Sequence, residues 1–189
     1  GFFLSTPLLS RIQAGLLKLA RVRIVVIPYG SDSYVYRRIR SVGLQNGLFW
    51  SYPAASRRQE SIGQRVEYWT QRAHVLIPGF MGPDGFGRCD VPIPSPLFID
   101  TEEWNPKSSY TGADARFAEV TVCHAPNHRG FKGTEFLIDA VTTLRNEGLK
   151  VRLLLLEGVP NSEVRKILRE QADVLVEQLV FTGHGLNGL

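Results

Sequence analysis

The chain has 189 residues, 43% of them hydrophobic and 21% charged, with a formal charge of +4. This is ordinary globular composition, sufficient for one domain with a good core or for parts of two. The positive excess falls well short of a nucleic-acid-binding tail and suits an anionic substrate or a phospholipid surface equally well.

After a short lead, residues 8–20 place Leu8, Leu9, Ile12, Leu16, Leu17 and Leu19 opposite Arg11, Gln13 and Lys18, the pattern of an amphipathic helix. Two cations on its polar face favour packing on a sheet over lying on a membrane. Residues 23–27 are β-branched and predict a buried parallel strand. Gly30-Ser31-Asp32 then turns the chain where that strand ends, which faces Asp32 toward any cleft beyond it. Ser and Asp also favour such turns and helix caps for purely local reasons. Residues 34–53 interleave Tyr34, Tyr36, Phe49, Trp50 and Tyr52 with Arg37, Arg38 and Arg40. Such a mixture reads as a partly buried loop surface, with polynucleotide or lipid-headgroup contact as the sharper alternatives. Ile62, Val66 and Trp69 set a helix over residues 56–72, and residues 73–77 predict a strand.

Residues 78–106 break the pattern: four glycines stand among six prolines, and no regular element persists through that density, save a short strand over 90–93. Residues 107–116 are polar. The chain then reads Val120-Thr121-Val122-Cys123-His124-Ala125-Pro126-Asn127-His128-Arg129-Gly130-Phe131-Lys132-Gly133-Thr134. A strand ends at Pro126, and seven loop residues follow with two glycines, two cations and no acid. A helix then carries Phe136, Leu137, Ala140, Val141 and Leu144 on one face, with Thr134 as N-cap and Gly148 just past its end. A strand, a cationic glycine loop and a helix N-terminus together favour a phosphate or diphosphate, which Arg129 and Lys132 would grip. Neither the P-loop pattern nor Gly-x-Gly-x-x-Gly is present. Residues 150–156 predict an apolar strand ending at Glu157-Gly158. A helix follows with Val164, Ile167, Leu168 and Ala172 on one face, then a short strand over 174–176. This alternation means right-handed crossovers and a parallel sheet.

His124 and His128 flank the cationic loop and could hydrogen-bond phosphate, though a lone histidine is more often structural. Cys89 and Cys123 have no Cys-x-x-Cys spacing, so no zinc site is expected and a reduced compartment is the simpler reading. No Asp-x-Asp, His-Glu-x-x-His or Gly-x-Ser-x-Gly occurs. No apolar run reaches the length of a membrane span. The chain begins without Met and ends at Gly188-Leu189 in a turn-rich stretch, which reads as a piece of a longer protein.

The segment His124-Ala125-Pro126-Asn127-His128-Arg129-Gly130-Phe131-Lys132-Gly133-Thr134 resembles the Arg…Lys-Gly segment of the glycosyltransferase group 1 family, the retaining GT-B enzymes. Lys132-Gly133 matches well. Arg129 stands about two residues later than the commoner spacing, where this chain has Asn127, and is similar to an Ala-Pro-x-x-Arg-x-x-Lys-Gly branch. The resemblance implies an α/β, GT-B-like fold of two Rossmann-like halves with parallel sheets, both incomplete. Residues 1–105 would be the later part of an acceptor-side domain plus the interdomain crossing, and residues 106–189 the first part of a donor-binding domain. It implies donor-diphosphate contacts from Arg129, Lys132, Gly133 and Asn127, and a donor pocket lined by Glu157, Glu177, Gly183, His184 and Gly185. Asp32 becomes the candidate catalytic residue on the acceptor side.

The implied activity is metal-independent sugar transfer with retention from a nucleotide-sugar to an unknown glycan, lipid or small-molecule acceptor. No cofactor or nucleic-acid partner is implied. The location implied is cytoplasmic, with peripheral contact at the inner face of a membrane left open. The carboxylates expected in the helix after Gly185 do not occur before Leu189, so this piece alone is expected to be inactive. A non-catalytic nucleotide- or phosphate-binding module and a GT-B-type nucleotide-sugar epimerase are the alternatives, since fold does not fix function.

Overall fold

In a computed structural model, the chain divides into two compact units, residues 1–96 and 97–189. The structure describes residues 7–28, 30, 33–78, 84–92, 102, 109–110 and 115–181. Both units are mixed α/β, and each carries a small parallel sheet.

In the first unit, helix α1 (Pro7–Leu19) leads into strand β1 (Val25–Val26), which pairs in parallel with β2 (Val75–Leu76), Val25 opposite Val75. Both strands are shorter than the apolar runs predicted. Ile24 is buried, but Val25 and Ile27 on the opposite face are exposed, so β1 is not the fully buried strand expected. Between the strands lie a 3₁₀ turn (Tyr36–Arg38) and helices α2 (Val42–Ser51), α3 (Pro53–Ser56) and α4 (Gln59–Arg72). Helix α2 occupies ground read as loop. Its apolar residues are spread around its circumference, so it has no periodic signature, and its start is set by Ser41, whose hydroxyl accepts from the Leu44 N–H. The predicted helix over 56–72 is divided at Arg57 and Arg58, while Ile62, Val66 and Trp69 are buried as expected.

The irregular stretch 34–39 runs through the interior, so its backbone polar groups need partners. Two glutamines supply them. Gln59 accepts from the Tyr36 N–H at 2.7 Å and donates to the Tyr34 carbonyl at 3.3 Å, while Gln45 donates to the carbonyls of Tyr36 at 2.9 Å and Ile39 at 2.8 Å. Tyr34 and Tyr36 are therefore core residues rather than a ring platform for a nucleic acid.

Beyond β2, Arg88 donates to the carbonyls of Thr70 and Ala73, the cation meeting the negative end of α4. Asp90 accepts from the Leu76 N–H at 2.8 Å, and its hydrogen bond from Arg88 holds its carboxyl below the usual carboxylate range. Residues 90–92 form no strand.

The second unit is built on β3 (Val120–His124). After helical turn α5 (Arg129–Lys132) and helix α6 (Thr134–Asn146), strand β4 (Val151–Leu155) pairs with β3 in parallel, Val120 opposite Val151. Helix α7 (Asn161–Glu170) then carries the chain to β5 (Val174–Leu175), which pairs in parallel with the other side of β3, Val122 opposite Val174. The order is β4-β3-β5. Val122, Leu137, Val141 and Val151 form the core between α6 and one face of the sheet. Phe136, predicted on that face, is exposed. Gly148 ends α6 at φ 87°. Its N–H bonds the Arg145 carbonyl and the Leu149 N–H the Leu144 carbonyl, a Schellman closure at the predicted glycine. Both cysteines are free, Cys123 fully buried with its thiol pushed up to about 11 by burial. Among the described residues no helix is long and apolar enough to cross a membrane.

Helix α1 rests on the first unit through Ala14 and Leu17, which pack with Ile24 and Trp69. Trp69→Ala should remove about 3–5 kcal/mol from this unit by opening a cavity under α1. Amide hydrogen exchange of α1 then approaches that of a free peptide, while exchange in β3 is unchanged.

Candidate functional site

Four of the sequence-predicted residues of the second unit come together beyond the carboxyl ends of its three strands. Arg129 and Lys132 follow β3, Glu157 follows β4, and Glu177 follows β5. The loop after β3 is not the open seven-residue turn expected, because residues 129–132 wind into α5. Thr134 is not the N-cap of α6 either. Gly133 takes that position, and Thr134 is the first helical residue.

The reason lies in packing. Gly133 has φ 75°, a conformation that costs any residue with a Cβ. A Cβ built there would stand 3.0 Å from Leu179 Cβ and 3.1 Å from Val180 Cγ2. The Leu179 N–H donates to the Lys132 carbonyl at 3.0 Å, so the segment after β5 lies directly over the α5–α6 elbow. The start of α6, expected to be presented to a ligand, is closed over by this segment, with Gly133 buried and Thr134 fully so.

His124 locks the same elbow from beneath. It is fully buried, with Nδ1 2.6 Å from the Val176 carbonyl and Nε2 2.9 Å from Thr134 Oγ1. A carbonyl only accepts, so Nδ1 carries the proton. Burial lowers the pKa of this ring, reinforced by the Lys132 charge, so Nε2 is unprotonated and accepts from the Thr134 hydroxyl. With both nitrogens engaged, His124 is structural and does not reach a phosphate. His128 lies at the N-cap of α5, its pKa also lowered by burial.

The loop contains no acid, but acids from elsewhere reach both of its cations. Arg129 donates from Nε to Glu135 Oε1 at 2.7 Å and from Nη1 to Glu157 Oε2 at 2.8 Å. The hydrogen bond to Glu135, then that to Glu157, pushes the guanidinium further up, and Arg129 holds the Glu135 carboxyl down. Lys132 Nζ donates to the Glu177 carboxylate and to Gln178 Oε1, the latter at 3.0 Å. The two clamps differ in exposure. Arg129, Glu135 and Glu157 side chains are 35%, 49% and 45% exposed, whereas Lys132 and Glu177 are 11% and 13%.

Gln178 adds an orphan. Its Oε1 faces the lysine, and its Nε2 is buried with no hydrogen-bond partner among the described residues. Glu135, Gln178 and the His124–Thr134 lock escaped the sequence reading. Glu135 was the legible one, adjoining the motif two residues beyond Gly133. Asn127 is exposed. Asp32, Gly183, His184 and Gly185 lie outside the described residues. Among the described residues no group of three or more His, Cys, Asp or Glu is placed to hold a metal ion. No family model, no curated protein and no solved structure matches the chain.

Two outcomes test this construction. Gly133→Ala should destabilise the second unit by about 1–3 kcal/mol, read as a lower denaturant midpoint, because the strained backbone and the 3.0 Å contact act together. The second concerns pH. His124 has a folded pKa below its ordinary 6.5, so the unfolded chain takes up the proton more readily. Its stabilising contribution is complete above pH 6.5 and is lost as pH falls toward the folded pKa. The drop in midpoint between pH 7.5 and pH 5.5 should be smaller in His124→Asn, which keeps a donor for Val176 but cannot titrate.

Proposed function

We propose that the second unit binds the donor of a metal-independent, retaining glycosyltransferase of GT-B type, with a nucleotide-sugar as substrate. The observation that carries this reading is the convergence of Arg129, Lys132, Glu157 and Glu177 beyond the carboxyl ends of adjacent parallel strands. The chain steps from β3 to one neighbour and returns to the other, so the strand order reverses at β3. Crevices at such reversals are where open α/β sheets hold nucleotides. The resemblance of the Arg129…Lys132-Gly133 segment to group 1 glycosyltransferases supports the same reading.

Arg129 is the residue that meets the diphosphate first. Its ion pairs are half-exposed and worth little, so an anion of higher charge displaces Glu135 and Glu157 at small cost. A carboxylate so released accepts hydrogen bonds from the hydroxyls of a sugar. Lys132 is set deeper and held by Glu177. The Gln178 Nε2 donor supplies a neutral contact beside it. As the diphosphate leaves, negative charge grows on it, and the stabilisation from both cations is then larger in the transition state than in the ground state. The acceptor half, with Asp32 as its candidate residue, belongs to the first unit.

Calorimetric titration with UDP, GDP and ADP tests the reading. One diphosphate should bind selectively. Arg129→Gln should weaken it at least ~10-fold, since a charge-assisted hydrogen bond contributes about 1.5–3 kcal/mol. Glu157→Gln should tighten it, because the negative charge competing for Arg129 is gone. Both side chains are half-exposed, so the fold is retained. If no diphosphate binds the wild-type chain, or Arg129→Gln binds as well as wild type, the donor site is not here.

A further inference from the structure

The two units differ sharply in charge. Residues 1–96 carry twelve Lys and Arg against five Asp and Glu, a net +7, while residues 97–189 carry ten against thirteen, a net −3. Within the first unit the asymmetry begins at once. The first 31 residues contain Arg11, Lys18, Arg21 and Arg23 and no acid.

Helix α1 lies in that stretch, and it does not use its apolar arc as the sequence pattern implied. Ala14 and Leu17 pack against Trp69 and Ile24. Ile12, Leu16 and Leu19 follow one another at helical spacing on a different face and are 49%, 60% and 81% exposed, with Val22 beyond them 46% exposed. A stripe of aliphatic side chains is thus turned outward on a helix without acids, where Arg11 leans over the Tyr68 ring and Lys18, Arg21 and Arg23 are exposed.

The end of the helix places one of these cations. The Arg21 N–H bonds the Lys18 carbonyl and the Val22 N–H the Leu17 carbonyl, a Schellman closure. Arg21 therefore holds the left-handed position, at φ 54°, that glycine fills without strain. A cation thus stands where the backbone favours glycine.

From the outward stripe and the flanking cations we infer that α1 is a membrane-surface anchor, which lays Ile12, Leu16 and Leu19 into the headgroup boundary of an anionic bilayer. Such a leaflet offers an apolar interior and a negative surface in one plane, the two properties this face complements. A polynucleotide fits less well, since α1 presents aliphatic chains and no ring for bases to stack on. The inference concerns the first unit and stands whether or not the second binds a nucleotide-sugar.

The test is flotation of the full chain with vesicles of phosphatidylcholine plus phosphatidylserine, against phosphatidylcholine alone. Partitioning should be at least ~10-fold stronger onto the anionic vesicles, given about fivefold per cation near the surface. The double substitution Leu16→Glu, Leu19→Glu should abolish it with circular dichroism unchanged, both residues being exposed. Arg21→Gly, which relieves the left-handed strain, should keep the fold and weaken binding about fivefold. Equal or absent partitioning onto the two vesicles overturns the inference, as does full binding by the double variant. A lipid-free dimer that the double variant disperses overturns it too, and assigns the stripe to a second copy of the chain.

Discussion

The second unit depends on the absence of a side chain at Gly133. Backbone at φ 75° and the closeness of Leu179 and Val180 crowd and strain any side chain placed there. Because that space is closed, the segment after β5 lies against the elbow between α5 and α6. Its Leu179 N–H reaches the Lys132 carbonyl, and Glu177 and Gln178 reach the Lys132 ammonium. His124 ties the same pieces from the strand side, joining the Val176 carbonyl to the Thr134 hydroxyl. Three segments distant in sequence are thus held by contacts within a few residues of one glycine. The cations of the loop then inherit their positions from packing rather than from local loop preference.

Much of this unit was legible. Strands β3 and β4 are compact β-branched or aliphatic runs, and α6 shows a 3.6-residue period that ends at a glycine. These are local signals, and Leu137, Val141 and Gly148 stand where the pattern puts them. The site was legible as to which residues matter and illegible as to what they do at rest. A loop with two cations and no acid reads as electropositive. The acids that answer it come from Glu135, Glu157 and Glu177, six, 28 and 45 residues from their partners. Nothing in periodicity or spacing carries information over that distance; only the strand order does.

The first unit was harder to read, for a different reason. Helix α2 has apolar residues all round and so no preferred face, and the buried run 34–39 is irregular backbone that two glutamines make tolerable. In α1 the period was right, and the packing on the sheet expected from it holds for only part of the apolar arc. An amphipathic pattern says that one arc of a helix avoids water, not what covers that arc. Here part of it meets Trp69 and Ile24 and part meets none of the described core.

The two cations of the site are neutralised to different depths, and the difference orders what an incoming anion can do. With Arg129, Lys132, Glu135, Glu157 and Glu177 all ionised, the resting cluster carries a net charge of −1. It does not attract an anion by its total charge. Binding therefore requires exchange of partners. The exchange is cheap at Arg129, where both carboxylates can turn into water. It is costly at Lys132, where a displaced Glu177 would remain in a nearly dry place without a cation. The side chain that trades partners is thus the arginine, whose fork can hold two oxygens at once, while the lysine keeps its carboxylate and acts as a fixed charge behind it. A ligand that satisfies this arrangement must return to Glu135 and Glu157 the hydrogen bonds it takes away. An anion bearing hydroxyl groups can do that, and inorganic phosphate alone can do so only in part.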